Sequence, residues 1–181
     1  LMLAERLGIK PRSEWSDAVI IGGNMVRWYG GFDSYVVAQE FDMPIVAPSM
    51  GRKIDREDEM DINHLPYMTW VDWMNNLSQY HVGVHLMPTH AAGTFALNCA
   101  FHGIPCIGYG GLDTQEELHP QLTVGDGDLH SAKLSANSLS NNYDFYRECS
   151  LEARNNYVKS MYNEKNFVPY ITNILEELNN G

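Results

Sequence analysis

Short apolar runs alternate with longer amphipathic segments from Asp17 to Gly125. The runs are rich in Val and Ile and end at Gly or Pro, which is typical of buried strands. They cover residues 17–22, 44–47, 62–68, 82–87, 104–108 and 122–125. Segments with helical spacing lie between them, at 32–41, 70–80, 94–102 and 114–118. This alternation predicts an α/β domain with a parallel sheet of about six strands.

The pattern changes after Asp128. From there on the sequence holds no strand-like run, and helical patterns cover residues 132–139, 142–161 and 167–178. A helical C-terminal tail is therefore expected to follow the sheet. No internal repeat or low-complexity linker divides the sequence, so residues 1–181 are predicted to form one domain.

Some positions carry specific local predictions. The charged stretch 51–61 is too polar to bury and is expected to form an exposed loop. Thr69 is a candidate N-cap, and Gly103 is a natural end for the helix at 94–102. Apolar side chains recur with helical spacing at the start of 70–80, which favours core packing over contact with a ligand. They are Trp70, Val71, Trp73, Met74 and Leu77.

Composition narrows the class of protein. The chain has 181 residues, enough for one domain with a full hydrophobic core. Its net charge of −11 disfavours extended binding of nucleic acid, because the phosphate backbone requires basic surfaces. No apolar run approaches the roughly 20 residues that a membrane span requires. The sequence begins Leu-Met-Leu rather than with Met, so it is expected to be a piece of a longer protein.

The cysteines and histidines indicate neither a disulfide framework nor a metal site. The three cysteines, Cys99, Cys106 and Cys149, are an odd number without a C-x-x-C spacing, which fits a reducing cytoplasm. His81 and His85 are four residues apart, but the intervening Val-Gly-Val reads as a strand. In a strand that spacing separates the two side chains by about 13 Å, so they are not expected to share an ion.

Two loops are candidates for ligand binding, because ligands of open parallel sheets bind beyond the carboxyl ends of the strands. The first loop, 22–31, is rich in glycine, which lets the backbone approach a ligand closely. Its Arg27 could form two hydrogen bonds to a phosphate. A common tight turn explains the glycines equally well. The loop matches neither G-x-G-x-x-G nor a P-loop, which disfavours dinucleotide and P-loop chemistry.

The second loop, 89–94, opens a predicted helix. Its small residues would let a diphosphate lie directly on the backbone amides of the helix N-terminus. His90 could donate a hydrogen bond to a phosphate, and Asn98, one turn into the helix, could bond the hydroxyls of a ribose or sugar. The alternatives are that His90 is an ordinary surface residue and that Asn98 ties the helix to a neighbouring loop.

The two loops and their flanking segments resemble one family. VIIGGNMVRWYGGFDSYVVA (19–38), INHLPYMTWVDWMNNLSQYHVGVHLMP (62–88) and AAGTFALNCAFHGIPCIGYGGLDTQEEL (91–118) follow its pattern and order. The chain resembles the C-terminal, nucleotide-sugar-binding domain of GT-B glycosyltransferases, of the retaining type with a pair of glutamates. The resemblance implies a Rossmann-like fold, and its most specific stretch is AFHGIPCIG (100–108).

The resemblance also implies roles for residues of the first two of these segments. Gly23, Asn24 and Arg27 would lie near the phosphates of the donor. Arg27 is the one cation near the place of the family's Arg and Lys pair, and the usual Lys is not there. Tyr67 and Met68 occupy the position whose backbone holds the nucleobase.

The second loop and the helix at 94–102 together correspond to the part of the family that carries the glutamate pair. The amides of Ala92, Gly93 and Thr94 would lie over the sugar and the diphosphate. The two glutamates are replaced here by His90 and Asn98. A catalytic role is assigned to His90, whose imidazole would offset charge on the departing diphosphate. Asn98 would bond the ribose.

The function implied by the resemblance is transfer of a hexose from a nucleotide-sugar to an unknown acceptor. This chain would be the donor-binding half of a two-domain enzyme, whose N-terminal acceptor-binding domain is missing from the sequence. No metal or other cofactor is expected, because the nucleotide-sugar is itself the substrate. The alternative is a non-catalytic nucleotide-binding module of Rossmann-like fold.

Overall fold

Six short parallel strands form the centre of the computed structural model, which describes residues 4–14, 17–48, 53–90 and 93–180. The strands lie in the order β3-β2-β1-β4-β5-β6, and all neighbours pair in parallel. The predicted α/β fold with six strands is therefore confirmed. Their bounds are β1 Val19–Ile21, β2 Ile45–Pro48, β3 Asn63–Leu65, β4 Val82–His85, β5 Cys106–Tyr109 and β6 Thr123–Val124.

Seven α-helices are described around and after the sheet. The first four connect strands, and the last three form the predicted helical C-terminal tail. Short 3-10 turns lie at Arg27–Tyr29, Glu57–Glu59 and Pro120–Leu122. The helices are α1 Gly31–Ala38, α2 Trp70–Leu77, α3 Thr94–His102, α4 Asp113–Leu118, α5 Leu129–Asn141, α6 Tyr143–Lys159 and α7 Glu164–Asn180.

Side chains of the central strands alternate between two helical layers. Val19 and Ile21 of β1 pack in a core cluster with residues of α1 and α5. Ile20, between them, points to the opposite face, where it packs with Leu77 of α2 and Phe95 of α3. Because both faces are covered, the strand is apolar at every position, which is why the sequence shows a continuous run.

The order of strands reverses at β1. Its neighbours are β2 on one side and β4 on the other, so the connections leave the carboxyl ends of β1 and β4 in opposite directions. This divergence opens a crevice at the carboxyl edge of the sheet, the usual place for a ligand in such folds.

Arg12 attaches the N-terminal segment to the amino edge of the sheet. Its guanidinium donates to the carbonyl oxygens of Tyr80 (3.0 Å) and Gly103 (2.6 Å), which precede β4 and β5. It also donates to the hydroxyls of Tyr146 (2.9 Å) and Ser150 (3.1 Å) on α6. One side chain thus joins the segment to two strand starts and a tail helix.

The charged stretch 51–61 corrects one prediction. Within its described part, 53–61, most charged side chains are exposed, but Glu57 is buried at 3% exposure. Its carboxylate accepts from the backbone N–H of Ile54 (2.8 Å), and its other oxygen lies 3.3 Å from His64 Nε2. The expectation that this stretch is too polar to bury is wrong for Glu57, because a hydrogen-bonded carboxylate can anchor a loop.

Candidate functional site

A cleft of about 590 Å³ lies at the carboxyl edge of the sheet, where the strand order reverses. Every described residue that lines it is uncharged at neutral pH, and five of them are aromatic: Tyr29, Tyr67, Trp70, Trp73 and Phe95. The others are Gly23, Pro48, Leu65, Pro66, Met68, His85, Met87, Thr94 and Asn98. Such a wall suits a planar, apolar ligand group with a few polar contacts.

The cleft brings together part of the predicted site. Gly23, Tyr67, Met68, Thr94 and Asn98 all line it, although they come from three separate segments of the sequence. Tyr67 is 88% exposed, so its ring is available to a ligand. Among the other predicted residues that the structure describes, Asn24, Arg27, His90 and Gly93 do not line the cleft. Ala92 lies outside the described residues.

The first loop turns sharply under the cleft. The N–H of Gly22 donates to Val84 O (2.8 Å), which prolongs the β1–β4 pairing, and Gly23 adopts a left-handed φ of +72°. Asn24 is buried, and its Oδ1 accepts from the backbone N–H of Val26 at 3.3 Å. Arg27 is exposed, and no described residue pairs with its guanidinium. Arg27 is thus available to an anion, whereas the side chain of Asn24 is used within the turn.

The second loop leads into α3 through Gly93. The Thr114 hydroxyl donates to Gly93 O (2.7 Å), and a Cβ at position 93 would overlap that hydroxyl, so glycine is required there. No described side chain caps the first turn of α3. The first amides of a helix without such a cap are free to bind an anion. The Thr89 hydroxyl donates to Trp28 O (2.8 Å) and so joins the second loop to the first.

His90 and Asn98 have different environments. His90 is exposed and does not line the cleft; its ring lies over Gly111, where a Cβ would overlap Nε2. Asn98 is buried at 6% exposure. With its amide oriented to suit its neighbours, Asn98 accepts from Trp73 Nε1 (3.2 Å) and donates to Thr94 O (3.2 Å). Both polar atoms of Asn98 are therefore engaged, and its partner outside α3 is α2 rather than a loop.

The structure adds cleft residues that the sequence interpretation placed elsewhere. The prediction of core packing is wrong for Trp70, which is 38% exposed and lines the cleft. Trp73 also lines the cleft, but it packs against the core as well, together with Val71, Met74 and Leu77 of α2. The sequence does hold one signal for a position in the cleft, because Trp70 begins the helix that follows the carboxyl end of β3. Thr69 is confirmed as the N-cap, since its Oγ1 accepts from the N–H of Asp72 (3.3 Å).

His85 is the polar residue at the end of an otherwise apolar strand. Its side chain is 7% exposed, and neither Nδ1 nor Nε2 has a hydrogen-bond partner among the described residues. Burial lowers the pKa of His85 to about 4. The imidazole is therefore neutral at pH 7, with one N–H donor and one acceptor nitrogen.

Three features of the described residues bear on other classes of protein. In the described ranges, no cluster of three or more His, Cys, Asp or Glu side chains is arranged to hold a metal ion. Among the helices in the described part of the chain, none is both long and apolar enough to cross a membrane. All three cysteines lie within the described residues, buried and unbridged.

The chain is similar in fold to several solved structures. Sucrose-phosphate synthase from Thermosynechococcus elongatus is 14% identical, with a TM-score of 0.70 over 98% of this chain and 49% of that one. HepE from Anabaena, in complex with UDP and glucose, is 11% identical, with a TM-score of 0.69 over 97% and 51%. The pneumococcal O-GlcNAc transferase GtfA, in complex with UDP and GlcNAc, is 9% identical, with a TM-score of 0.71 over 93% and 37%.

Sequence comparison alone finds no such likeness: no family model matches the chain, and no curated protein matches it. The chain spans about half or less of the length of each of the three structures above. At these identities the likeness is one of fold. The chain has the Rossmann-like fold of one domain of GT-B glycosyltransferases, as the resemblance of its sequence implies.

Proposed function

We propose that the chain is the donor-binding part of a glycosyltransferase and binds a nucleotide-sugar in the cleft. The observation that carries the proposal is the place of this aromatic cleft, at the reversal point between β1 and β4 and beside the uncapped start of α3. Structures of the same fold have UDP and glucose or UDP and GlcNAc bound. The donor proposed here is a nucleoside diphosphate hexose.

The two ends of the cleft suit the two ends of such a donor. Tyr67 and Trp70, after β3, offer exposed aromatic surface on which a nucleobase can stack. Gly23 and the first amides of α3 offer a close backbone approach and a positive helix end for the diphosphate. Arg27, exposed and unpaired among the described residues, adds the positive charge.

The reaction itself would need groups beyond the cleft wall. His90 precedes the α3 turn on the exposed rim, and we propose that its imidazole offsets charge on the departing diphosphate. The acceptor would bind to a further domain, because the solved structures are two or more times as long as the part that this chain matches. Three buried, unbridged cysteines support a reducing compartment, and we propose the cytoplasm.

Calorimetry with UDP, GDP and ADP tests the proposal directly. We expect the folded chain to bind at least one of these nucleoside diphosphates with modest affinity, because both phosphate-facing loops lie within it. The absence of binding to all three at millimolar concentration, in a folded sample, would contradict the donor-binding function and leave only the fold.

Arg27→Ala should weaken binding of the nucleoside diphosphate about 10- to 100-fold, because a charge-assisted contact to phosphate is worth roughly 1.5–3 kcal/mol. Binding of the nucleoside without phosphates should not change. Arg27→Lys should recover part of the loss, since lysine keeps the charge but not the two-pronged geometry. Arg147→Ala, an exposed arginine on α6, is the matched control. Equal losses for nucleoside and diphosphate would mean that Arg27 acts on the fold instead.

A non-catalytic nucleotide-binding module is the second candidate function. One observation favours it: both polar atoms of Asn98, at the place of a family glutamate, are already engaged by Trp73 and Thr94. Transfer of sugar by the complete protein would exclude this alternative. Binding of the nucleotide without transfer or donor hydrolysis would support it.

Because Asn98 is already hydrogen-bonded, we expect the chain to distinguish ribose from deoxyribose only weakly. UDP and dUDP should bind within about threefold of each other, because a neutral hydrogen bond is worth only ~1 kcal/mol and Asn98 already has its partners. Competition of the two nucleotides for the chain measures the ratio. A preference of more than about tenfold for UDP would show that Asn98, or another group, binds the 2′-hydroxyl.

A further inference from the structure

His85 occupies a fixed position in the wall of the cleft. It ends β4, one of the two strands between which the connections diverge. Its ring makes an edge contact with Phe95 of α3, with ring centroids 5.2 Å apart and planes at 66°. The ring also lies against Gly22, where a Cβ would be only 2.6 Å from Cγ. The imidazole is therefore held in one place by the first loop and by α3.

The two nitrogens of this ring lack partners, as do those of His102, but of these two histidines only His85 lines the cleft. Neither nitrogen of His85 is bonded to any described residue, and both are shielded from solvent. Buried polar atoms of native proteins are nearly always hydrogen-bonded, because leaving them unpaired costs free energy. An apolar side chain would fill the same volume without that cost. The cost is explained if a ligand supplies the missing partner.

One nitrogen lies close to the cleft but is covered by the first loop, so a ligand reaches it when that loop shifts slightly. Gly23 lines the cleft, and a Cβ built on it would lie 3.5 Å from Nε2 of His85 and 3.1 Å from Tyr29 O. Because residue 23 is glycine, no side chain of that residue stands between Nε2 and the cleft. The first turn of α3, which carries no described side-chain cap, begins on the same side of the cleft. The positive end of a helix favours a negatively charged oxygen there.

We propose that His85 is a binding residue of the donor site, whose Nε2–H donates a hydrogen bond to a phosphate oxygen of a bound nucleoside diphosphate beside Gly23. The inference rests on the proposed donor-binding function. A neutral imidazole suits this task because it provides a donor without a buried charge. The low pKa that burial gives His85 keeps the ring in that neutral form at pH 7.

His85→Phe tests the inference, because it keeps an aromatic ring against Phe95 and Gly22 but removes both nitrogens. The unliganded variant should be at least as stable as the wild type, since an apolar edge replaces unpaired polar atoms. Its Kd for UDP should rise about tenfold or more, whereas binding of uridine should be unchanged. His102→Phe is the matched control, because His102 is a second buried histidine with a pKa near 4 at the far end of α3.

Three outcomes separate this inference from the proposed function. If wild-type chain binds none of UDP, GDP and ADP, the donor-binding function fails and the role of His85 fails with it. If the wild type binds UDP and His85→Phe binds it equally well, only the role of His85 is overturned. Nitrogen NMR of the wild-type imidazole is an independent readout: the Nε2 resonance should move as UDP saturates the chain, and an unchanged resonance overturns the inference.

Discussion

Gly30→Ala should destabilise the fold by about 3–5 kcal/mol, among the largest losses expected for one methyl group. Gly30 precedes α1 with a left-handed φ of +65°. A Cβ there would overlap the carbonyl oxygen of Leu86, which follows β4. The obstacle is backbone rather than a flexible side chain, so the variant can fold only if α1 separates from β4. Urea unfolding of the purified variant measures the loss.

Gly127→Ala separates the two causes of this effect. Gly127 has a similar φ of +74°, but a Cβ there would meet no atom within 4 Å. This control should cost only about 1 kcal/mol, the conformational penalty of a left-handed alanine. The excess loss in Gly30→Ala is then the cost of overlap with the strand. A loss at Gly30 no greater than that at Gly127 would disprove the packing argument.

Arg12→Ala should lower the free energy of unfolding by about 2–4 kcal/mol, because it leaves several hydrogen-bond acceptors without their charged partner. The carbonyl oxygens of Tyr80 and Gly103 lie at the starts of neighbouring strands, where the guanidinium bonds both at once. Arg12→Lys should recover less than half of the loss, since an ammonium group cannot span both carbonyls and the hydroxyl of Tyr146. Thermal and urea unfolding of both variants measure the effect.

Arg56→Ala is the comparison for Arg12. Arg56 also bonds a neighbour, Glu59, but the pair is exposed on the 3-10 turn. Exposed ion pairs add little to stability, so the midpoint of unfolding should hardly change. If Arg12→Ala behaves like Arg56→Ala, the contacts of Arg12 do not hold the N-terminal segment in solution.

The sequence predicts the bounds of a helix best where glycines flank a buried segment. α3 has the predicted bounds, because Gly93 and Gly103 flank a helix that is buried from Phe95 to His102 and Gly103 ends it with a left-handed φ of +67°. The strand predicted over 82–87 is shorter in the structure, Val82–His85, because Leu86 and Met87 stay buried after the pairing ends. The spacing of apolar residues indicates which residues are buried, and residues stay buried beyond the last hydrogen bond of the strand.

Most of the cleft residues that the sequence predicts lie between the end of a strand and the start of the next helix. Gly23, Tyr67 and Thr94 fall in that class, and each lines the cleft. Trp73 does not, because the same helical spacing describes a core contact and a cleft contact. The partners of Asn98 were also hidden, since Trp73 comes from another helix and tertiary packing alone brings the two together.

The hydrogen bonds of Arg12 indicate which side of the protein can be attached to a surface without blocking the entry of ligand to the cleft. Arg12 is held at the starts of β4 and β5, whereas the cleft opens at the opposite ends of the strands. A biotin or a surface linker joined to the exposed side chain of Lys10, two residues before Arg12, would thus lie near the edge remote from the cleft. Sensor chips loaded in that orientation would present the cleft to the flowing nucleotide solution.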